Sequence, residues 1–284
     1  MSATERWRQQ LEARRIPSAI LEAAPESPYG FPADLFRRRA EASARSTEAT
    51  PTIARAREAL PPGGSVLDVG VGGGATSLPL ASGLTGAPGA TSIVGVDGQQ
   101  DMLDAFEATA AEMGAHVTTL LGEWPKVAPK APDTDVAVCG HVLYNVQALD
   151  PFVLALDRHT RRRVVLELTR EHPIGWMAGL WQTFHGIKWP HGPTADDAQE
   201  AIHDLGPDVR REDRTASGDR GGGFTRREDA VALIRRRLCL TADRDADIAD
   251  ALGDLLRQEG GLWSTGPAHR VVVTLWWDVN SPDS

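Results

Sequence analysis

Cysteine is scarce: Cys139 and Cys239 are the only two in 284 residues. Two cysteines cannot build a disulfide framework or a four-ligand zinc site, and the expected compartment is a reducing cytoplasm. Lysine is nearly absent too. Only Lys126, Lys130 and Lys188 occur, so arginine carries the positive charge. With so much alanine and proline, this reads as genome composition rather than function. No apolar run approaches the ~18 residues of a membrane span. The start, MSATERWRQQLEARRIP, is charged and helical, without the apolar centre of a signal peptide. Positive charge is not in excess: the net charge is −9 and the pI about 5.4. A general electrostatic grip on nucleic acid is therefore not expected, since phosphate binding needs a basic face. Repeats and long low-complexity linkers are missing as well. The remainder is an ordinary globular composition, 41% hydrophobic and 24% charged. A chain of this length buries a full core without staples.

Two kinds of pattern divide the chain. Residues 1–60 read as helical and Arg/Glu-rich, broken by AAPESPYGFP at 23–32, and Thr50-Pro51 caps a helix that ends near PPGG at 61–64. From 65 onward, SVLDVG, TSIVGVD, HVTTLL, DVAVCG and RRVVLEL are short apolar runs. Helical stretches at 75–84, 99–113 and 148–158 separate most of them. That alternation predicts βαβ units and a parallel sheet covered on both faces, an α/β fold. Beyond 170 the spacing predicts a helix over 174–186, a Thr-capped helix in TADDAQEAIHDLG, a strand in DVRREDRT and a mobile loop in RTASGDRGGGF. Helices follow in FTRREDAVALIRRRLCL and ADIADALGDLLRQEG, then a strong last strand, HRVVVTLWWDV. The domain reading is a helical cap over 1–60 and one domain over 61–284, with helical insertions at about 172–206 and 225–258.

Residues 66–81, VLDVGVGGGATSLPLA, place four glycines directly behind a buried strand. Asp68, Gly70, Gly72 and Gly74 spell D-x-G-x-G-x-G across a strand end and a helix start. Glycine there removes the Cβ barrier and permits positive φ, so a ligand over the turn meets backbone. Asp97 ends the next strand, where an acid can accept both ribose hydroxyls of an adenosine. Gly70, Gly72 and Ala75 also satisfy G-x-G-x-x-A, which keeps an NAD-type oxidoreductase as an alternative. Three features weigh against it. Asp68 sits just inside the turn, where it suits a ligand amino group better than a pyrophosphate. The motif follows about 60 helical residues, and the chain closes on an isolated strand rather than a second mononucleotide half.

These segments resemble the class I S-adenosylmethionine-dependent methyltransferases. VLDVGVGGG is similar to that family's first motif and IVGVDGQQDML to its second, where the acid holds the ribose and a residue such as Met102 packs on adenine. LLGEW is similar to the third, with Glu123 near the adenine amino group and Trp124 against the ring; the family more often has Asp at that acid. DVAVCGHVLYNV is similar to the fourth, which faces cofactor and substrate. The resemblance covers roughly 65–170 plus 268–279. It implies a doubly wound, seven-stranded, mostly parallel sheet with an antiparallel last strand, and S-adenosylmethionine as cofactor. The helical segment at 225–258 departs from the minimal fold and reads as a substrate cap.

The acceptor is less legible. His141, Tyr144 and Asn145 fall just past the fourth strand, on the side where open α/β sheets bind ligands. His141 is a candidate general base. In 172–191, Trp181 and His185 are four apart and share a helix face, so His185 is a second candidate base and His172 and Trp181 candidate pocket residues. The spacing of His172, His185 and His191 matches no compact metal motif. The arginine runs at 37–39, 161–163 and 235–237 read as solvated faces. The expected reaction is methyl transfer to a small-molecule acceptor, with oxygen favoured as nucleophile because of the histidines. A protein or nucleic-acid methyltransferase and a non-catalytic adenosyl-ligand sensor are the remaining alternatives. The residues do not fix an oligomeric state and are compatible with a homodimer.

Overall fold

The computed structural model describes residues 1–29, 43, 49–81, 92–217 and 223–279. Helix α1 (Ala3–Glu12) buries Ala3, Trp7 and Leu11, spaced four apart on one stripe, and a short α2 (Ser18–Ala23) follows. Helix α3 (Pro51–Ala59) starts where Thr50 Oγ1 accepts the Ile53 N–H and Pro51 fills the first turn. The arginine run at 37–39 lies outside the described residues.

Then comes the alternating half: β1 (Ser65–Val69), α4 (Leu78–Ala81), β2 (Ser92–Asp97), α5 (Gln100–Met113), β3 (His116–Leu121), β4 (Thr134–Gly140), α6 (Leu149–Arg158) and β5 (Thr160–Thr169). These five strands pair in parallel. The less regular half holds α7 (Ala178–His185), α8 (Ala195–His203), β6 (Arg210–Ser217), α9 (Arg227–Arg237), α10 (Asp245–Leu252), β7 (Leu256–Glu259), β8 (Leu262–Thr265) and β9 (His269–Asp278). The seven-stranded sheet has the order β3-β2-β1-β4-β5-β9-β6, with β9 antiparallel to both neighbours. The fold is thus α/β, doubly wound and mostly parallel with an antiparallel last strand. Strand order reverses between β1 and β4, and their carboxyl ends open the crevice that such sheets use for ligands.

Alternate residues of each strand feed two cores, as pleating requires. Leu67, Val69, Ala137, Leu166 and Trp277 pack against α1, α6 and α8. Val66, Ile93, Val136, Val138 and Val165 pack against α3, α4 and α5. A third cluster, away from the sheet, joins Met177, Leu180 and Trp181 to Val231, Ile234, Ile248 and Leu252, with Ile20 and Leu21 of α2 against it.

Three local expectations need correction. The helix expected over 174–186 begins as a tight 3₁₀ turn at Gly175–Met177, so α7 is shorter. The helix expected over 246–260 stops at Leu252, because Gly253 takes φ +48°. LRQE then pairs as β7 with β8 across Gly260-Gly261, both at positive φ. The arginines at 235–237 are not a solvated face. Arg235 pairs with Asp245 at 2.8 Å, and Arg237, half-buried, donates to the Pro28 carbonyl, tying α9 to the N-terminal segment. Part of the loop expected around 214–224 lies outside the described residues; Arg214–Ser217 extend β6 along β9 instead.

Candidate active site

The glycine turn is shaped by main chain. Gly70, Gly72 and Gly74 sit at φ +73°, +51° and +84°. A Cβ at Gly70 would lie 2.2 Å from Val142 Cγ2, so turn and fourth-strand loop meet only because residue 70 has no side chain. The turn is tied sideways: Gly70 and Val71 N–H both donate to the Val96 carbonyl at 2.8 and 3.0 Å. Asp97, half-buried, completes the crease. One carboxylate oxygen accepts the Gly72 N–H and the other the Gln99 N–H, each at 3.0 Å. The carboxylate is therefore aimed at the turn, and each oxygen keeps lone-pair capacity for a further donor. Met102 lies buried in the first turn of α5 behind it. From the N-terminal segment, Ser43 Oγ donates to the Ala75 carbonyl at 2.8 Å.

Asp68 is placed differently from expectation. It is 1% exposed beneath the turn, and among the described residues neither carboxylate oxygen has a hydrogen-bond partner. Burial pushes its pKa up to about 7; the Ser77 hydroxyl nearby opposes this without reaching hydrogen-bond geometry, and Asp97 adds to it. The carboxyl is closed off from the surface rather than held out to a ligand tail. Glu123 stays at the rim, its Cγ 3.8 Å from where a Gly98 Cβ would stand. It is exposed and paired with Lys126, which holds its carboxyl below the usual range. Trp124 does not join it. Its Nε1–H donates to the Phe152 carbonyl on α6, and its ring meets His159 edge-on at 5.6 Å, at the opposite edge of the sheet. The indole is thus half-buried against the core cluster on the α6 side.

One strand over, side chains make the site. His141 directly follows β4 at φ +61°, a conformation few non-glycine residues adopt. Its main-chain N–H donates to the Glu167 carbonyl at 2.6 Å, and its Nε2 meets Glu167 Oε1 at 2.8 Å. Gly140 before it lets Thr76 approach: a Cβ there would stand 2.3 Å from Thr76 Oγ1. Glu167 is largely covered. Burial alone would raise its pKa, but His141, Thr52 and Arg214 together bring it down to about 2. Sequence reasoning passed over Glu167. Its signal was one acid inside the otherwise apolar run RRVVLEL.

Tyr144 and His172 meet at 4.9 Å between ring centres, and Tyr144 stacks on Trp7 of α1 at 5.6 Å. The Tyr144 hydroxyl donates to the Thr169 carbonyl at 2.7 Å. Burial raises its pKa and pushes that of His172 down to about 3, so His172 is a neutral imidazole. Asn145 is exposed. Arg14, which no sequence signal singled out, lies beside this pair. It is 7% exposed, with its guanidinium 5.1 Å from the Trp189 ring and Nη1 donating to Pro190 at 2.5 Å. Among the described residues its Nε and Nη2 have no hydrogen-bond partner, and burial brings its pKa down to about 10.

Trp181 and His185 do share a face, stacked at 4.8 Å, but that face is covered. Trp181 is fully buried in the third cluster, and His185 Nε2 is 2.7 Å from the Leu238 carbonyl at the end of α9. Both join α7 to the insertion and leave the sheet rim. Their i,i+4 spacing showed a common face, and the insertion decided what lies against it. Among the described residues no group of three His, Cys, Asp or Glu is placed to hold a metal, and no helix is long and apolar enough to cross a membrane. A cavity of about 430 Å³ between Asp157, Asp208, Arg210 and Trp277 lies at the far edge of the sheet, away from these loops.

Comparison with known proteins agrees with this geometry. Residues 66–162 match the family model described as a methyltransferase domain. No curated protein matches the chain in sequence. Among solved structures, the YcgJ protein of Bacillus subtilis is 16% identical, covers 81% of this chain and 98% of its own, and superposes with a TM-score of 0.50. A candidate methyltransferase from Bacillus halodurans C-125 is 14% identical, with 81% and 97% covered and a TM-score of 0.50. At such identities the likeness concerns the fold. The glycine crease, the adjoining acid and the cradle that a Cβ would fill all fit an adenosyl group. Taken with the sheet order, they agree with the match of residues 66–162 to a methyltransferase domain.

Proposed function

We propose that the chain methylates an oxygen of a small-molecule acceptor. The observation that carries this reading is the His141–Glu167 pair, held at the carboxyl end of β4 and one strand from the glycine turn. The sulfonium of the bound cofactor supplies an electrophilic methyl group. Asp97 would accept the ribose hydroxyls, since its carboxylate is already fixed by two amides. Met102 and Glu123 would flank the adenine. The turn amides of Gly70 to Gly74 would line the path of the amino-acid tail. Asp68 would act from below the turn, favouring a positive charge above it.

His141 would take the proton of the acceptor hydroxyl as the oxygen attacks. The bound cofactor would supply the methyl group and leave as its neutral thioether, and the acceptor's proton would end on the imidazole. A positioned base of this kind contributes about 10²–10⁴-fold. Holding oxygen and methyl in line supplies a further share of the barrier. The loop residues Tyr144, Asn145 and His172 would shape the acceptor pocket, with α1 over them. Residues 1–60 and the insertion around α9 and α10 would act as caps. The acidic balance, −9 net, favours a small acceptor over a nucleic acid.

Calorimetry tests the cofactor half. S-adenosylmethionine should bind the wild type, and Asp97→Ala should lose about 100-fold, the worth of two hydrogen bonds to a charged group. Unchanged affinity in that variant would overturn the assignment of Asp97. Transfer of labelled methyl to small molecules of a cell extract, and to an alkali-stable oxygen product, tests the acceptor half. Label found only in protein or nucleic acid would reject it.

A further inference from the structure

We propose that Glu167 is the positioning residue of the base, and that Thr52, from the helix following the N-terminal segment, holds it in place. The proposal rests on the reading of His141 as the base and adds what controls it. Glu167 lies in register with Gly140 on one side and Thr274 on the other, so its side chain stands on the α3 face of the sheet. Its two oxygens are both engaged. Oε1 takes His141 Nε2 at 2.8 Å, and Oε2 takes the Thr52 hydroxyl at 2.6 Å.

Hydrogen accounting fixes the direction of the chain of bonds. Thr52 has one proton and gives it to Glu167, so the 2.8 Å contact with Thr274 is donated by the Thr274 hydroxyl. A carboxylate accepting on Oε1 requires the proton of the neutral imidazole to sit on Nε2. In that tautomer the lone pair of the ring is on Nδ1. The same residue grips His141 a second time, through the main-chain bond at 2.6 Å, and so holds it at positive φ. Such strain persists where the surroundings over-determine it.

A purely structural role would not need this chemistry. An apolar residue at 167 would pack the strand without the cost of burying a charge. The network also reaches outward: Arg214 Nη2 stands 3.9 Å from Glu167 Oε2, and Arg55 of α3 pairs with Glu212 at 2.9 Å on the neighbouring strand. Among the described residues, Glu167, Arg214, Arg55 and Glu212 are the charged groups of β5, β6 and α3 joined in this network. Because Thr52 is in the first turn of α3, docking of this helix and fixing of the base are one event.

The test is nitrogen NMR of the imidazoles in the full-length protein, which needs no acceptor. In wild type the neutral His141 ring should show the Nε2–H tautomer. In Glu167→Gln its titration should move about 1–3 pH units lower, because the anion that stabilised the imidazolium is gone. In Thr52→Val the Glu167 carboxyl should titrate at higher pH, and Thr52→Ser should restore it. Methyl transfer to the extract should fall about tenfold or more in Glu167→Gln, with its acid limb shifted to lower pH and cofactor affinity unchanged. Glu167→Asp should recover part of the rate. A His141 titration that ignores Glu167→Gln overturns the proposal, as does a fall in titration with transfer unaffected. Full transfer by His141→Ala is a separate result: it removes the base and leaves the NMR pairing standing.

Discussion

Between β1 and β2 the rim is made of main chain. Glycine amides at positive φ, a carbonyl of β2 and one carboxylate pinned by two N–H groups form a surface with almost no rotatable parts. Between β4 and β5 it is made of side chains, with an imidazole, a largely covered carboxylate and two threonine hydroxyls in series. The first rim suits a ligand that is the same in every turnover. The second suits a step in which a proton must move, since each of its groups has a defined donor and acceptor. The two rims touch where Val142 crosses Gly70 and where Thr76 reaches Gly140.

The two rims should therefore fail separately. His141→Ala should lower methyl transfer by about 10²–10⁴-fold while cofactor affinity, read by calorimetry, stays at the wild-type value. Asp97→Ala should do the reverse, losing about 100-fold in cofactor affinity with the His141 titration unmoved. If either substitution damages both rims, the division into two is wrong. A smaller effect sharpens the comparison through Asp68. Its folded pKa, about 7, is raised above its ordinary 3.8. Its stabilising contribution is thus present below about pH 4, declines as pH rises, and is gone above about pH 7. Asp68→Asn should accordingly raise the cofactor-free Tm relative to wild type at pH 8, by a few degrees, and lose that advantage near pH 4. The smallest effect belongs to neither rim. His185→Ala should cost about 1 kcal/mol in denaturant unfolding, for one hydrogen bond to Leu238, and leave transfer intact.

How much was legible follows the same division. The glycine turn and Asp97 could be read directly, because strand periodicity locates the rim and only glycine satisfies its backbone. His141 was legible because it trails an apolar strand. Glu167 was not, since a single acid within a strand says nothing of the partner opposite. Thr52 was hidden behind a helix-capping signal that belongs to Thr50. Trp124 and Trp181 were misplaced for a common reason: their neighbours in sequence point to a rim or a shared face, while their burial was decided by α6 and by the insertion. Arg14 gave no signal at all, because an arginine on a charged helix looks like any other until the residues that bury it are known.

The sequence by itself determined the alternation of strands and helices, the crease at residues 70–74 and the acid one strand away. These depend on local chemistry, on φ preference, pleat and period, which neighbouring residues dictate. Only the tertiary structure decided which imidazole meets a carboxylate, which tryptophans are core, and that α3 reaches across to β5. Those pairings join residues of different elements, 115 positions apart for Thr52 with Glu167. Sheet register and helix packing bring such groups together, and no local pattern encodes the meeting.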